Sequence, residues 1–149
     1  MKLTMLLADS AQAVNGKLYI LGGGWTLIGP DPNPMAVAML IDVPWDQTNR
    51  PHTWKLSLQD EDGQPVKLPT PIGDQVVELT AEFEVGRPPG VKPGTPLPVP
   101  LAVNIGPLPL PPGRGYVWVC WINGDTNDDW RLPFATRPAQ VVPPRELEG

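Results

Sequence analysis

Reactive side chains are scarce in this 149-residue chain: one cysteine, Cys120, one histidine, His52, and only two serines, Ser10 and Ser57. A single cysteine rules out an intramolecular disulfide. One Cys and one His cannot close a structural zinc site. Neither serine stands in a nucleophile elbow. His52 follows Pro51 at the start of a different strand from Cys120, so nothing indicates a Cys-His pair. Cys120 lies mid-strand between Val119 and Trp121 and reads as a buried, inert thiol.

Long apolar runs are also missing. Beyond the N-terminus the apolar run 35–41 is only seven residues long, far short of the roughly 18 needed to span a bilayer. At the N-terminus the apolar stretch 3–8 is broken by Thr4 and followed by Asp9. That is shorter than the about 7–15 apolar residues of a secretory signal, so the expected location is the cytoplasm. No basic patch exists either. The eleven Lys and Arg are scattered from Lys2 to Arg145, net charge is −5 and the sequence pI is about 4.7. Nucleic acid and anionic membrane surfaces would both repel such a chain.

What the sequence has in excess is punctuation: 22 Pro and 15 Gly. These leave little room for helices and favour short strands with many turns. The most apolar stretch is G-Y-V-W-V-C-W-I-N-G, residues 115–124. Tyr116, Trp118, Cys120 and Ile122 fall on one face of a strand, Val117, Val119 and Trp121 on the other. A strand apolar on both faces belongs at the centre of a sheet or in a subunit contact, and Asn123-Gly124 signals the turn that ends it.

Alternation predicts the other strands. Residues 2–8 form the first, followed by a connector over 9–15 with room for one helical turn. Strands are predicted at 17–21 and 25–28, separated by Gly22–Gly24, where a bulge or a close approach of another group is expected. Residues 35–42 follow, with Met35, Val37, Met39 and Ile41 on one face and Ala36, Ala38 and Leu40 on the other, where the small alanines leave room for close sheet packing. Residues 53–60 set Trp54, Leu56 and Leu58 inward, and a short return strand covers 64–68. Residues 69–74 turn the chain, and 75–85 carry Val77, Leu79, Ala81, Phe83 and Val85 inward. Residues 88–112 hold ten prolines, yet Leu97, Val99, Leu101, Val103 and Ile105 alternate with Pro98, Pro100, Ala102 and Asn104. Proline cannot donate to a ladder, so this is an edge strand. The PxxP spacings Pro93–Pro96 and Pro109–Pro112 read as edge-strand and loop prolines. Residues 129–135 close the sheet. The expected fold is all-β, a two-sheet antiparallel β-sandwich of eight or nine strands with immunoglobulin or fibronectin type III character, a jelly roll being the alternative. One domain covers 1–136, and 137–149 reads as a flexible C-terminal tail.

The opening residues Ala8-Asp9, Gly16-Lys17-Leu18 and Gly22-Gly23-Gly24-Trp25, with Tyr116, Trp118 and Asn123-Gly124 later, resemble a family of small uncharacterised bacterial β-sandwich proteins. The resemblance covers about the first 28 residues and the late strand, not the proline-rich middle. It implies an intracellular β-sandwich and supplies no catalytic residues.

Two features carry functional readings. Acidic loops offer oxygen ligands: Asp125, Asn127, Asp128 and Asp129 in one, Asp60, Glu61 and Asp62 in the other. Calcium takes six to eight such ligands, so Asp60, Asp62, Asp125, Asn127 and Asp129 are candidate calcium ligands, and the Asp125–Asp129 loop is the candidate site of a calcium- or carbohydrate-binding module, although these residues also fit ordinary turn chemistry. The six tryptophans offer partner contacts. Trp54 and Trp130 follow core alternation and Trp25 closes a strand bend. Trp118 and Trp121 face opposite ways, so one needs a cover, and Trp45 stands in a polar turn. A hydrolase would need paired carboxylates in a cleft, which loop acids do not provide. The reading that follows is a non-catalytic protein-interaction or structural module, with a protein partner or self-association through Trp45, Trp118 and Trp121. No cofactor is implied beyond that possible calcium.

Overall fold

Asn15 and Gly16 both take positive φ, 51° and 73°, the backbone of a two-residue type I′ hairpin turn. They join β1 (Lys2–Val14) to β2 (Lys17–Gly23), paired from Val14↔Lys17 to Ala8↔Gly23. The connector expected over 9–15 is therefore the second half of β1. Its Asp-Ser-Ala-Gln-Ala composition has little strand preference, and pairing with β2 overrides it. A computed structural model describes residues 1–140 of the chain. The expected tail falls outside the described residues from 141 onward. Arg137 is tied down, its N–H donating to the Ile28 carbonyl and its guanidinium to the Gly29 carbonyl.

The chain continues through β3 (Leu27–Ile28), β4 (Met35–Val43), a single 3₁₀ turn at Trp45–Gln47, β5 (His52–Asp60), β6 (Lys67–Thr70), β7 (Gly73–Val76), β8 (Glu78–Phe83), β9 (Leu97–Ile105), β10 (Gly115–Ile122) and β11 (Arg131–Thr136). Two sheets contain nine of these strands, ordered β2-β1-β4-β9 and β3-β11-β10-β5-β8, while β6 and β7 form a separate hairpin. Among the described residues every strand pairing is antiparallel except the two-residue β3–β11 contact. The fold is thus an all-β, antiparallel two-sheet sandwich. β10 is the middle strand of its sheet, as its doubly apolar pattern requires.

The core lies between the sheets. Leu3, Leu7, Val37, Met39, Ile41, Val99 and Val103 from one pack with Trp54, Leu56, Leu58, Trp118, Cys120 and Phe134 from the other. The alanines of β4 do not face this core. Ala36 and Ala38 join Ala8 and Ala11 on the opposite face of their sheet, beside Leu6 and Ala102. Their small size serves that outer layer rather than close packing between the sheets.

Two predicted strands are shorter or divided. Residues 25–28 pair only at Leu27–Ile28. Residues 75–85 split at Val77, whose N–H donates to Val66 and whose carbonyl accepts from Leu58. Before it β7 pairs with β6, and after it β8 pairs with β5. The region expected to turn at 69–74 is most of the β6–β7 hairpin, closed by Thr70 Oγ1 donating to the Gly73 carbonyl at 2.6 Å.

Candidate interaction surface

The two acidic loops hold their own backbones. Asp60 Oδ1 accepts from the N–H groups of Asp62 and Gln64, each at 2.9 Å. Glu61 accepts from the Gly115 N–H at the start of β10. Asn127 Oδ1 accepts from the Asp129 N–H at 2.9 Å. These are the local bonds that give Asp and Asn their turn preference. Asp60 stands opposite Tyr116, whereas Asp125 follows Ile122 at the far end of β10, about 20 Å along the strand. The structure therefore does not bring Asp60 and Asp62 together with Asp125, Asn127 and Asp129. Among the described residues no three His, Cys, Asp or Glu side chains are placed to share a metal ion.

The tryptophans are largely occupied from within. Trp118 is 0% exposed, at the centre of the core, and so is closed to a partner. Trp121 lies on the other face, half-buried, with Lys55 Nζ 4.8 Å from its ring centroid and its Nε1 donating to Ser57 Oγ at 3.3 Å. The cover that its position demands comes from within the chain, from the Lys55 ammonium over its ring. Trp45, the candidate for an exposed contact, is half-buried under the Arg87 guanidinium, 4.0 Å from its ring centroid. Arg87 Nε also donates to Thr48 Oγ1 at 2.8 Å.

The scarce reactive groups are engaged too. Cys120 is buried, and loss of solvent pushes its thiol up to about 12. Burial likewise raises the Tyr116 phenol, which Arg114 lowers and Asp60 and Glu61 raise. His52 is buried against Phe83, ring centroids 5.3 Å apart. A proton on Nε2 fits the surroundings: Nε2 donates to the Gln47 carbonyl at 2.7 Å, and Nδ1 accepts from Asn123 Nδ2 at 2.9 Å.

Exposed apolar side chains instead gather on the β1–β2 hairpin: Val14 at 44%, Tyr19 at 55%, Ile20 at 41% and Leu21 at 69%. Ile72, at the β6–β7 turn, is also exposed. β2 is an edge strand. Alternation could not mark this site, because Lys17–Leu21 reads like any other strand until its neighbours are known. Where the hairpin meets the body, Gly22 has φ 63° and the Asp9 carboxylate lies where its Cβ would stand. A Cβ at Gly23 would press on Ile20 Cγ2 at 2.7 Å and Leu6 Cδ1 at 2.9 Å. The glycine run is therefore a place of close approach by side chains of the chain itself.

A family-level match spans residues 3–135, from β1 into β11. The chain belongs to DUF6941, a family of unknown function. No curated protein matches it. The family's span takes in strands of both sheets and the whole β1–β2 hairpin.

Proposed function

We propose that this DUF6941 member is a non-catalytic cytoplasmic β-sandwich that acts by protein–protein contact, with β2 as the contact edge. One observation carries the reading: among the described residues, β2 is the free edge of the two main sheets left without protection, and the strands of the separate β6–β7 hairpin are only four residues long, with Lys67, Pro69 and Asp74 among them. β9 carries Pro98 and Pro100, whose missing N–H groups face the open side. β8 carries Glu78 and Glu82, and β3 is two residues long. Short, charged or proline-bearing strands are the ordinary means of keeping edges from pairing. β2 has seven residues, one charge at Lys17, and Tyr19, Ile20 and Leu21 in the open. An edge of this kind suits strand addition, in which backbone bonds supply affinity and side chains supply selectivity. The net charge of −5 argues against a nucleic-acid partner. The engaged states of Cys120 and His52 favour a role without chemistry.

Affinity capture from host lysate tests this, with wild type beside Leu21→Lys and Trp45→Ala. A partner lost with Leu21→Lys and kept with Trp45→Ala is the expected result. Capture unchanged by Leu21→Lys would contradict the reading.

A further inference from the structure

The backbone of the open edge has a definite register. Ala11 and Ile20 stand opposite each other in the β1–β2 ladder. Both polar backbone groups of Ala11 are engaged elsewhere: its N–H donates to Asn104 Oδ1 at 3.2 Å, and its carbonyl accepts from Asn104 Nδ2 at 2.8 Å. In an antiparallel ladder a residue pair exchanges both bonds or neither. Ala11 and Ile20 exchange neither, so the N–H and C=O of Ile20 point to the open side. The two-residue period puts those of Leu18 there as well.

We propose that this edge pairs with β2 of a second copy of the chain, antiparallel about a two-fold axis at Ile20, joining the two four-stranded sheets. The proposal rests on the reading of β2 as the contact edge. In this register Ile20 exchanges two hydrogen bonds with Ile20 of the other copy. Tyr19 falls opposite Leu21, twice, at the positions where side chains come closest. These are the most exposed apolar side chains of the strand, and an aromatic–aliphatic pair stabilises a sheet. Lys17 falls opposite Gly23, so no two charges of like sign meet along the paired edges, and the centre carries no charge.

A two-residue slip one way would set Lys17 against Leu21. A slip the other way would set Tyr19 and Ile20 against glycines. The exposed parts of Val14, Tyr19, Ile20 and Leu21 offer roughly 400 Å² per copy, against about 800 Å² per partner in a standard interface. With the strand backbone and Lys17 added, this suits a dimer that forms at high concentration.

Light scattering of the full chain, over about 1 μM to 1 mM, should find the mass rising with concentration from 16.2 kDa toward twice that value. Ile20→Pro removes an outward N–H and leaves the β1 ladder intact. Leu21→Lys places a charge opposite Tyr19. Both should stay at 16.2 kDa while unfolding at the wild-type temperature. Under mild oxidation Ile20→Cys should form a disulfide-linked dimer, since paired α-carbons lie about 5.5 Å apart. Leu18→Cys should not, its α-carbons being about 14 Å apart in this register. Equal cross-linking by both would overturn the register. A monomeric wild type that still loses a foreign partner with Leu21→Lys would overturn self-pairing and leave the edge reading standing. A monomeric wild type with capture unchanged by Leu21→Lys would overturn both.

Discussion

Asn104 does for β1 what a strand would do. β4 ends its pairing with β1 at Ala8↔Ala36, and three residues later the Asn104 side chain of β9 takes both polar groups of Ala11. Asn104→Ala removes two hydrogen bonds. Each is worth about 1 kcal/mol net. Ala11 is buried but Asn104 is exposed, so truncating the Asn104 side chain uncovers the two freed groups to water and the additional burial penalty is small. The expected loss is about 2 kcal/mol, or a fall of about 4–8 °C in the unfolding midpoint for a domain of this size. Asn104→Asp sharpens the test. Its carboxylate still accepts from the Ala11 N–H but sets a second oxygen against the Ala11 carbonyl, so at neutral pH it should cost more than alanine. In acid, protonation restores a donor and most of the difference should vanish. Hydrogen exchange gives the local readout, with Ala11 and the β1–β2 hairpin losing protection before the core strands. Unchanged Ala11 exchange, with an unfolding midpoint equal to wild type, would refute the argument. It would also remove the evidence for the outward orientation of Ile20.

Three further outcomes follow from the geometry. Gly22→Ala places a Cβ in the left-handed region and against the Asp9 carboxylate; thermal unfolding should show marked destabilisation, and adding Asp9→Ala should recover all but the roughly 1 kcal/mol owed to backbone strain. Cys120 keeps its proton in the folded state up to about 12, against 9.0 for the free group. The unfolded chain releases that proton first, so the contribution of Cys120 is intact below pH 9 and declines as pH rises toward 12. Denaturant titrations should therefore find the advantage of wild type over Cys120→Ala shrinking by up to about 1.4 kcal/mol per pH unit in that window. His52→Ala takes the ring partner from the Gln47 carbonyl and from Asn123 Nδ2 and opens space beside Phe83; urea midpoints should report a loss of about 2–4 kcal/mol.

Much of the sandwich was legible in the sequence because burial is written at period two. The alternation in 53–60 identifies the inward set Trp54, Leu56 and Leu58, and the Pro98/Pro100 pattern marks an edge strand; β5 and β9 have these properties. Partner choice was not legible. Val77 changes ladders because Val66 and Leu58 are in reach, and no local pattern announces that. The second half of β1 looked like a connector because its strand character comes from β2 and Asn104, both distant in sequence or across a turn. The acids read as possible ligands because composition cannot tell an oxygen free for a cation from one bound to its own loop. The open edge was hidden for a related reason: exposure of Tyr19 and Leu21 depends on what is missing beside them.

The central claim is that β2 is a contact edge. Its most direct measurement is photo-cross-linking in host cells from a reactive residue at position 21, with one at position 133 on β11 as control. The account predicts a discrete adduct from position 21, whether a second copy or another protein, and none from position 133. Adducts from position 133 with none from position 21 would contradict it.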